Sequence, residues 1–166
     1  MLLNTDQINL FKELMGSYPT GVTVVTTMDK HNQPVGLTVN SFASVSIEPL
    51  MVLWCIDKNS NSLSAFKSSK RYAINILAGN QEEICWLFAS SKEQSRFSKT
   101  EWNKSDNNLP IIKGVFGVLE CEKVQEIDAG DHMIMIGTVI DLKKNEAEPM
   151  LYFRRNVGSL PKDWTN

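Results

Sequence analysis

What this chain lacks narrows its chemistry before any motif is considered. No apolar run approaches the roughly 18 residues of a membrane-spanning helix, which argues against a membrane protein. The N-terminus has no basic segment followed by an apolar one, which argues against a signal peptide and for a cytoplasmic location. The 3 cysteines, Cys55, Cys85 and Cys121, stand far apart and form no C-x-x-C. They suggest neither a disulfide framework nor a zinc site and read as reduced thiols. There are only 2 histidines, His31 and His132, no H-E-x-x-H and no clustered ligands with metal spacing, so no metal is expected. G-x-G-x-x-G, the Walker loop and the G-x-S-x-G elbow are all missing. A net charge of -2 without a basic block argues against nucleic acid as a partner. A chain with so little acid–base equipment is expected to borrow its chemistry from a cofactor.

What remains is an ordinary globular composition, 42% hydrophobic and 22% charged over 166 residues, read as one domain spanning 1–166. The most informative stretch is 34–46, PVGLTVNSFASVS, where apolar and small neutral polar residues alternate. Period-two alternation predicts a strand. Its polar positions include Thr38, Asn40 and Ser44, whose hydroxyls and amide can bond a flat, heteroatom-rich ligand without burying charge. The same pattern also suits a Ser- and Thr-rich sheet edge.

Around it, residues 5–16 read as a helix capped by Thr5 or Asp6, with Ile8, Phe11, Leu14 and Met15 on one face. Residues 22–27 form a β-prone run, and 29–33 a polar turn. Residues 51–56 are nearly unbroken apolar and predict a strand buried on both faces. Helices are expected over 60–67 and 81–88, and strands over 72–77, 115–124, 133–142 and 150–153. Residues 90–108 read as a polar excursion or lid. Strands outnumber helices and do not alternate with them, which predicts a mainly β (α+β) fold, an antiparallel barrel with a few flanking helices.

Four constellations carry chemistry. Residues 57–62, DKNSNS, leave a strand and enter a helix, where Ser60 and Ser62 either hold a phosphate or simply cap. Gly130-Asp131-His132 sits at a hairpin mouth, where the imidazole meets a ligand edge or fixes the turn. Arg96-Phe97 pairs a cation with an aromatic, suited to a nucleotide-like ligand or to anchoring a loop. Tyr152 and Phe153 must point to opposite faces of a strand, so only one is core. Trp54 and Trp86 either narrow a cleft or fill space, and Trp86, outside its helix's apolar stripe, is a candidate for a dimer interface.

Taken in order, YPTGVTVVTT at 18–27, PVGLTVNSFASVS at 34–46, CIDKNS at 55–60, NIL at 75–77, GDH at 130–132 and LYFR at 151–154 resemble the flavin reductase-like family. These are the short-chain NAD(P)H:flavin oxidoreductases of two-component monooxygenases, and the match runs over about residues 11–155. The resemblance implies an FMN-binding split β-barrel that takes FMN or FAD, usually as a homodimer. It implies an enzyme that reduces flavin with NADH or NADPH and supplies it to a separate monooxygenase. A flavoprotein electron carrier, or an on-site ferric-type reductase retaining its flavin, is the alternative. Carried over by motif, Gly36, Thr38, Asn40 and Ser41 would border the isoalloxazine. Cys55, Ile56 and Asp57 would line the ring or ribityl region, with Ser60 and Ser62 near the phosphate. Arg96 and Phe97 would close over the flavin, His132 would stand beside the nicotinamide, and Tyr152 would lie close to it. The implied reaction is hydride transfer from nicotinamide C4 to flavin N5, which needs the two rings stacked at near-attack distance.

Overall fold

The β-branched run Thr-Val-Val-Thr-Thr-Met becomes the strand around which the chain is organised. In the computed structural model, which describes residues 4–90 and 95–164, this strand is β2 (Thr23–Met28), its first five residues buried. Before it come α1 (Thr5–Gly16) and β1 (Thr20–Gly21). After it come β3 (Pro34–Val39), β4 (Ala43–Ile47), β5 (Leu50–Asp57), α2 (Leu63–Ser68), β6 (Arg71–Ile76) and α3 (Glu82–Ala89). A 3-10 turn (Arg96–Ser98), β7 (Trp102–Lys104) and β8 (Pro110–Ile112) lead to the long strands β9 (Gly117–Ala129) and β10 (His132–Lys144). The chain finishes with β11 (Leu151–Phe153), β12 (Asn156–Gly158) and a 3-10 turn (Lys162–Trp164).

Seven strands form one antiparallel sheet in the order β3-β2-β6-β9-β10-β5-β4. Among the described residues no ladder joins the edges β3 and β4, so the sheet does not close, consistent with a split barrel. Just past β3, Ser41 spans the gap: its Oγ accepts from Cys55 N at 3.0 Å and donates to Cys55 O at 3.2 Å. Strand alternation sorts the interior into two cores. Val25, Ile74, Trp54, Ile56, Phe66 and Met135 fill the concave side. Val24, Ala73, Phe88, Ile112 and Met150 pack α3, β8 and the β11 segment on the other. Between β2 and β8 lies a buried polar joint. Asn75 Nδ2 donates to Val24 O and Thr26 Oγ1, both at 3.0 Å, and its Oδ1 accepts from Ile112 N at 2.9 Å. Thr26 Oγ1 in turn donates to Pro110 O at 2.6 Å.

The structure corrects several sequence expectations. The strand over 34–46 is two, β3 and β4, broken at Asn40–Phe42 where the chain turns from one sheet edge to the other. β5 is buried on one face only: Val52, Trp54 and Ile56 point inward, while Met51, Leu53 and Cys55 are half-buried. Trp54 is fully buried, edge-on to Phe66 and Tyr72, so it fills the core. The cap of α1 is Asn4, in a reciprocal capping box with Gln7, one residue before the expected position. The region 90–108, read as a polar excursion or lid, contains a 3-10 turn and the β7 strand paired to β8; residues 91–94 lie outside the described residues.

The amphipathic helix α1 buries no residue on either face. Asn9, Lys12, Glu13 and Gly16 line a hollow against Arg154 and Arg155, and Arg154 N donates to Gly16 O at 2.7 Å. Its apolar residues face outward: Ile8, Phe11, Leu14 and Met15 are 42–61% exposed. No helix among the described residues is long and apolar enough to cross a membrane.

Candidate functional site

Three separated chain segments meet at a cleft of about 310 Å³. β3 contributes Leu37 and Thr38, the β5–α2 connection contributes Asp57, Asn59, Ser60, Asn61 and Ser62, and the end of α3 with the following turn contributes Phe88, Ala89 and Arg96. A larger hollow of about 410 Å³ lies beside Lys30 and Lys70. The smaller one gathers five residues nominated from sequence, namely Thr38, Asp57, Ser60, Ser62 and Arg96.

Local chemistry explains how each is held. Thr38 Oγ1 donates to Cys85 O at 2.7 Å, which fixes β3 to α3 and leaves the hydroxyl's lone pairs as acceptors. Asp57 Oδ1 accepts from Asn59 N at 2.7 Å, and Asp57 O accepts from Ser60 N at 2.9 Å, so the strand ends in a tight turn. Ser60 Oγ accepts from Ser62 N at 3.3 Å. The helix α2 therefore begins later than the sequence suggests. Ser60 is not its cap, and Ser62, at the cap position, makes no side-chain cap bond. Arg96 Nη1 donates to Gly36 O at 2.7 Å and Nη2 to Ser90 O, which pins its turn across β3.

Other nominated residues stand elsewhere. Gly36 is buried behind the cleft: a Cβ there would meet Phe88 Cε1 and Thr26 Cγ2 at 3.1 Å, so it is a packing glycine between β3 and α3. Ile56 points into the concave core with 1% exposure and does not line the cleft. Phe97 packs edge-on between Phe88 and Trp102 with centroids 5.0 and 5.5 Å away, so it anchors its loop and is not an exposed stacking platform. Tyr152 pairs with Thr20 and packs half-buried on the α3-side core, outside the cleft lining. Asn40 is exposed at the corner between β3 and β4. Ser41 is engaged with the Cys55 backbone, and burial pushes the half-buried Cys55 thiol up from its ordinary value of 9.0, against the lowering effect of Ser41.

His132 opens β10 directly opposite Asp57 in the ladder. Opposed residues of an antiparallel pair share a face, so the imidazole stands on the same side of the sheet as cleft-lining Asp57, although it is not itself part of the cleft lining. Its Nδ1 lies 2.8 Å from Asp131 Oδ1. The His132 hydrogen bond and charge hold the Asp131 carboxyl below its ordinary value. An ionised carboxylate only accepts, so Nδ1 carries the proton and Nε2 is left for a ligand. Leu37, Asn59, Asn61 and Phe88 line the cleft without having been nominated. The two asparagines sit between nominated residues in DKNSNS, whereas Phe88 shows only the spacing of a core helix position. Among the described residues no group of three or more His, Cys, Asp or Glu side chains is placed to hold a metal ion.

The chain that builds this cleft has known relatives. Residues 15–161 match the family model described as a flavin reductase like domain. The chain is 40% identical over 152 residues to the reductase component of a flavin-dependent trigonelline monooxygenase from Acinetobacter baylyi, covering 90% of this chain and 49% of that protein. It is 37% identical over 149 residues to a flavin reductase from Pseudomonas putida, covering 89% and 87%. Its fold superposes with a TM-score of 0.89 and 30% identity on the NADH:FAD oxidoreductase of Streptomyces globisporus in complex with NAD and FAD fragments, covering 98% of both chains. The chain thus spans about half the length of the first relative and most of the second.

Proposed function

Because this chain belongs to the flavin reductase-like family, we propose that it is an NAD(P)H:flavin oxidoreductase that supplies reduced FMN or FAD to a partner monooxygenase. The observation that carries this reading is the convergence of Thr38, Asp57, Ser60, Ser62 and Arg96 from separate segments onto one cleft. Hydroxyls, amides and a single guanidinium form the donor set that suits a phosphate monoester and a polar ring edge. When bound there, the flavin supplies a hydride acceptor. The residues of this chain do the rest. Arg96, Ser60 and Ser62 neutralise and bond the phosphate, and Thr38 presents an acceptor to a ring N–H. His132, with Nδ1 bound to Asp131, offers Nε2 to the carboxamide of a reduced nicotinamide and orients it for transfer.

The names of three relatives, reductase components or subunits of flavin-dependent monooxygenases or demethylases, support the partner assignment. The exposed apolar face of α1 supports a homodimer, since an apolar stripe of this kind on a globular chain marks an interface. A cytoplasmic location accords with the reduced state of Cys55, Cys85 and Cys121. The test is anaerobic mixing of the protein with NADH or NADPH at increasing FMN or FAD, following loss of the reduced-nicotinamide absorbance. A rate that rises with free flavin is expected. No oxidation of either nicotinamide with either flavin would overturn the assignment.

A further inference from the structure

The ladder pairs His132 with cleft-lining Asp57, and one side chain ties the turn before His132 to the same rim. Lys58 lies between Asp57 and Asn59, both cleft-lining residues. Its backbone N–H donates to Asp131 O at 2.9 Å. Its Nζ donates to Gly130 O at 2.6 Å and to Asp128 Oδ1 at 2.8 Å. Three of the four residues 128–131 are therefore held by this one lysine, immediately before His132. Gly130 has φ +65° and open space around its Cα, so the turn has no packing of its own at that point. The ladder between β5 and β10 stops at the Asp57–His132 pair, and beyond it only Lys58 ties the turn back to the cleft rim among the bonds of the described residues.

We propose that Lys58 is a positioning residue, a strut that fixes His132 relative to the flavin cleft by gripping the 128–131 turn. The grip of the side chain rests mainly on the Gly130 carbonyl, because Asp128 is 73% exposed and an ion pair in that setting contributes little, while the bond to Asp131 O comes from the backbone. A lysine is well matched to this role, since its ammonium has three donors on a flexible stem and reaches a carbonyl and a carboxylate together. The inference rests on the reading of His132 as the residue that orients the nicotinamide.

The experiment compares wild type, Lys58→Met, Lys58→Arg, His132→Ala and the double variant Lys58→Met/His132→Ala. Methionine keeps an apolar stem and removes the ammonium donors, leaving the backbone bond to Asp131 O in place. Turnover, nicotinamide KM, flavin Kd and amide hydrogen exchange at Gly130, Asp131 and His132 are measured. Lys58→Met is expected to lower kcat/KM for the nicotinamide about ten- to a hundredfold, the range for a misplaced reacting group, with flavin Kd changed less than about twofold. Exchange at the three turn amides is expected to accelerate, and arginine to restore part of both. In the His132→Ala background, Lys58→Met should add little, since both act through one group. An equal loss in that background, or unchanged exchange at the turn in Lys58→Met, would overturn the proposal. Unchanged turnover in His132→Ala would instead remove His132 from the site, while the exchange data would still decide whether Lys58 holds the turn.

Discussion

Replacing Gly36 with alanine separates two roles that a glycine beside a cofactor cleft can play. If Gly36 lets its backbone approach a ligand, alanine weakens flavin binding and leaves the fold alone. If it lets α3 approach β3, alanine strains the fold first. Its added Cβ would stand 3.1 and 3.2 Å from Phe88 Cε1 and Cδ1 and 3.1 Å from Thr26 Cγ2, each tighter than an ordinary contact by a few tenths of an ångström. Overpacking of that kind costs about 1–3 kcal/mol. The lost flexibility of the unfolded chain returns about 0.4–1 kcal/mol, as Gly36 lies in a strand outside the left-handed region. The net is a destabilisation of about 0–2.6 kcal/mol, centred on about 1.3, or a Tm lower by about 3–5 °C at that centre for a chain of this length. Differential scanning calorimetry measures it, and flavin fluorescence gives Kd on the same samples. Phe88 also lines the cleft, so Kd should rise modestly, and adding Phe88→Leu should recover part of the Tm by giving the new methyl room. A Tm within about 1 °C of wild type together with a flavin Kd raised more than about tenfold would refute the packing argument.

Two further outcomes follow from buried groups. Asn75→Leu removes three hydrogen bonds from a fully buried joint and leaves the Ile112 N–H without its partner. A loss of at least about 2 kcal/mol in urea unfolding is expected, with faster amide exchange at Ile112; unchanged protection there would show that β8 does not depend on this joint. Burial pushes the Cys85 thiol up to about 11 and the Cys121 thiol up to about 12, with nearby Glu82 and Glu120 adding to it. Both therefore favour the folded state fully below 9.0, and this contribution falls away as pH rises from there through about 11 and 12, because unfolding releases ionised thiolates. At about pH 8 iodoacetamide should modify half-buried Cys55 well before the other two; simultaneous labelling of all three under native conditions would contradict the buried assignments.

The sequence made segments legible more readily than side-chain directions. The β-prone run at 22–27 and the turn at 29–33 correctly announced β2 and its hairpin to β3. The corner at Asn40–Phe42 was hidden because alternation continues across it while the backbone changes direction. The motif around 55–60 located the cleft, yet period two means only alternate residues reach it, so Asp57 lines it while Ile56 fills the core. Arg96 and Phe97 show the same division between neighbours: the cation reaches β3 and the ring anchors on Phe88 and Trp102. The apolar stripe of α1 was legible while its exposure was not, because the periodicity of a helix says which residues lie together and not what they meet.

The order β3-β2-β6-β9-β10-β5-β4 also governs when each part of the chain can become native during synthesis. The β4–β5 hairpin leaves the ribosome early, but the strand that completes β5 is β10, about 75 residues later between Asp57 and His132. Phe66 and Tyr72 can reach Trp54 sooner, but the core around Val52, Trp54 and Ile56 is completed only when Met135 arrives with that strand. β2 and β6 meet sooner and must in turn wait for β9. Long-range pairing of this kind slows folding and leaves apolar strand faces exposed to other nascent chains. The nascent polypeptide is therefore at its most vulnerable between the emergence of β5 and that of β10, the interval in which a chaperone would have the most surface to hold.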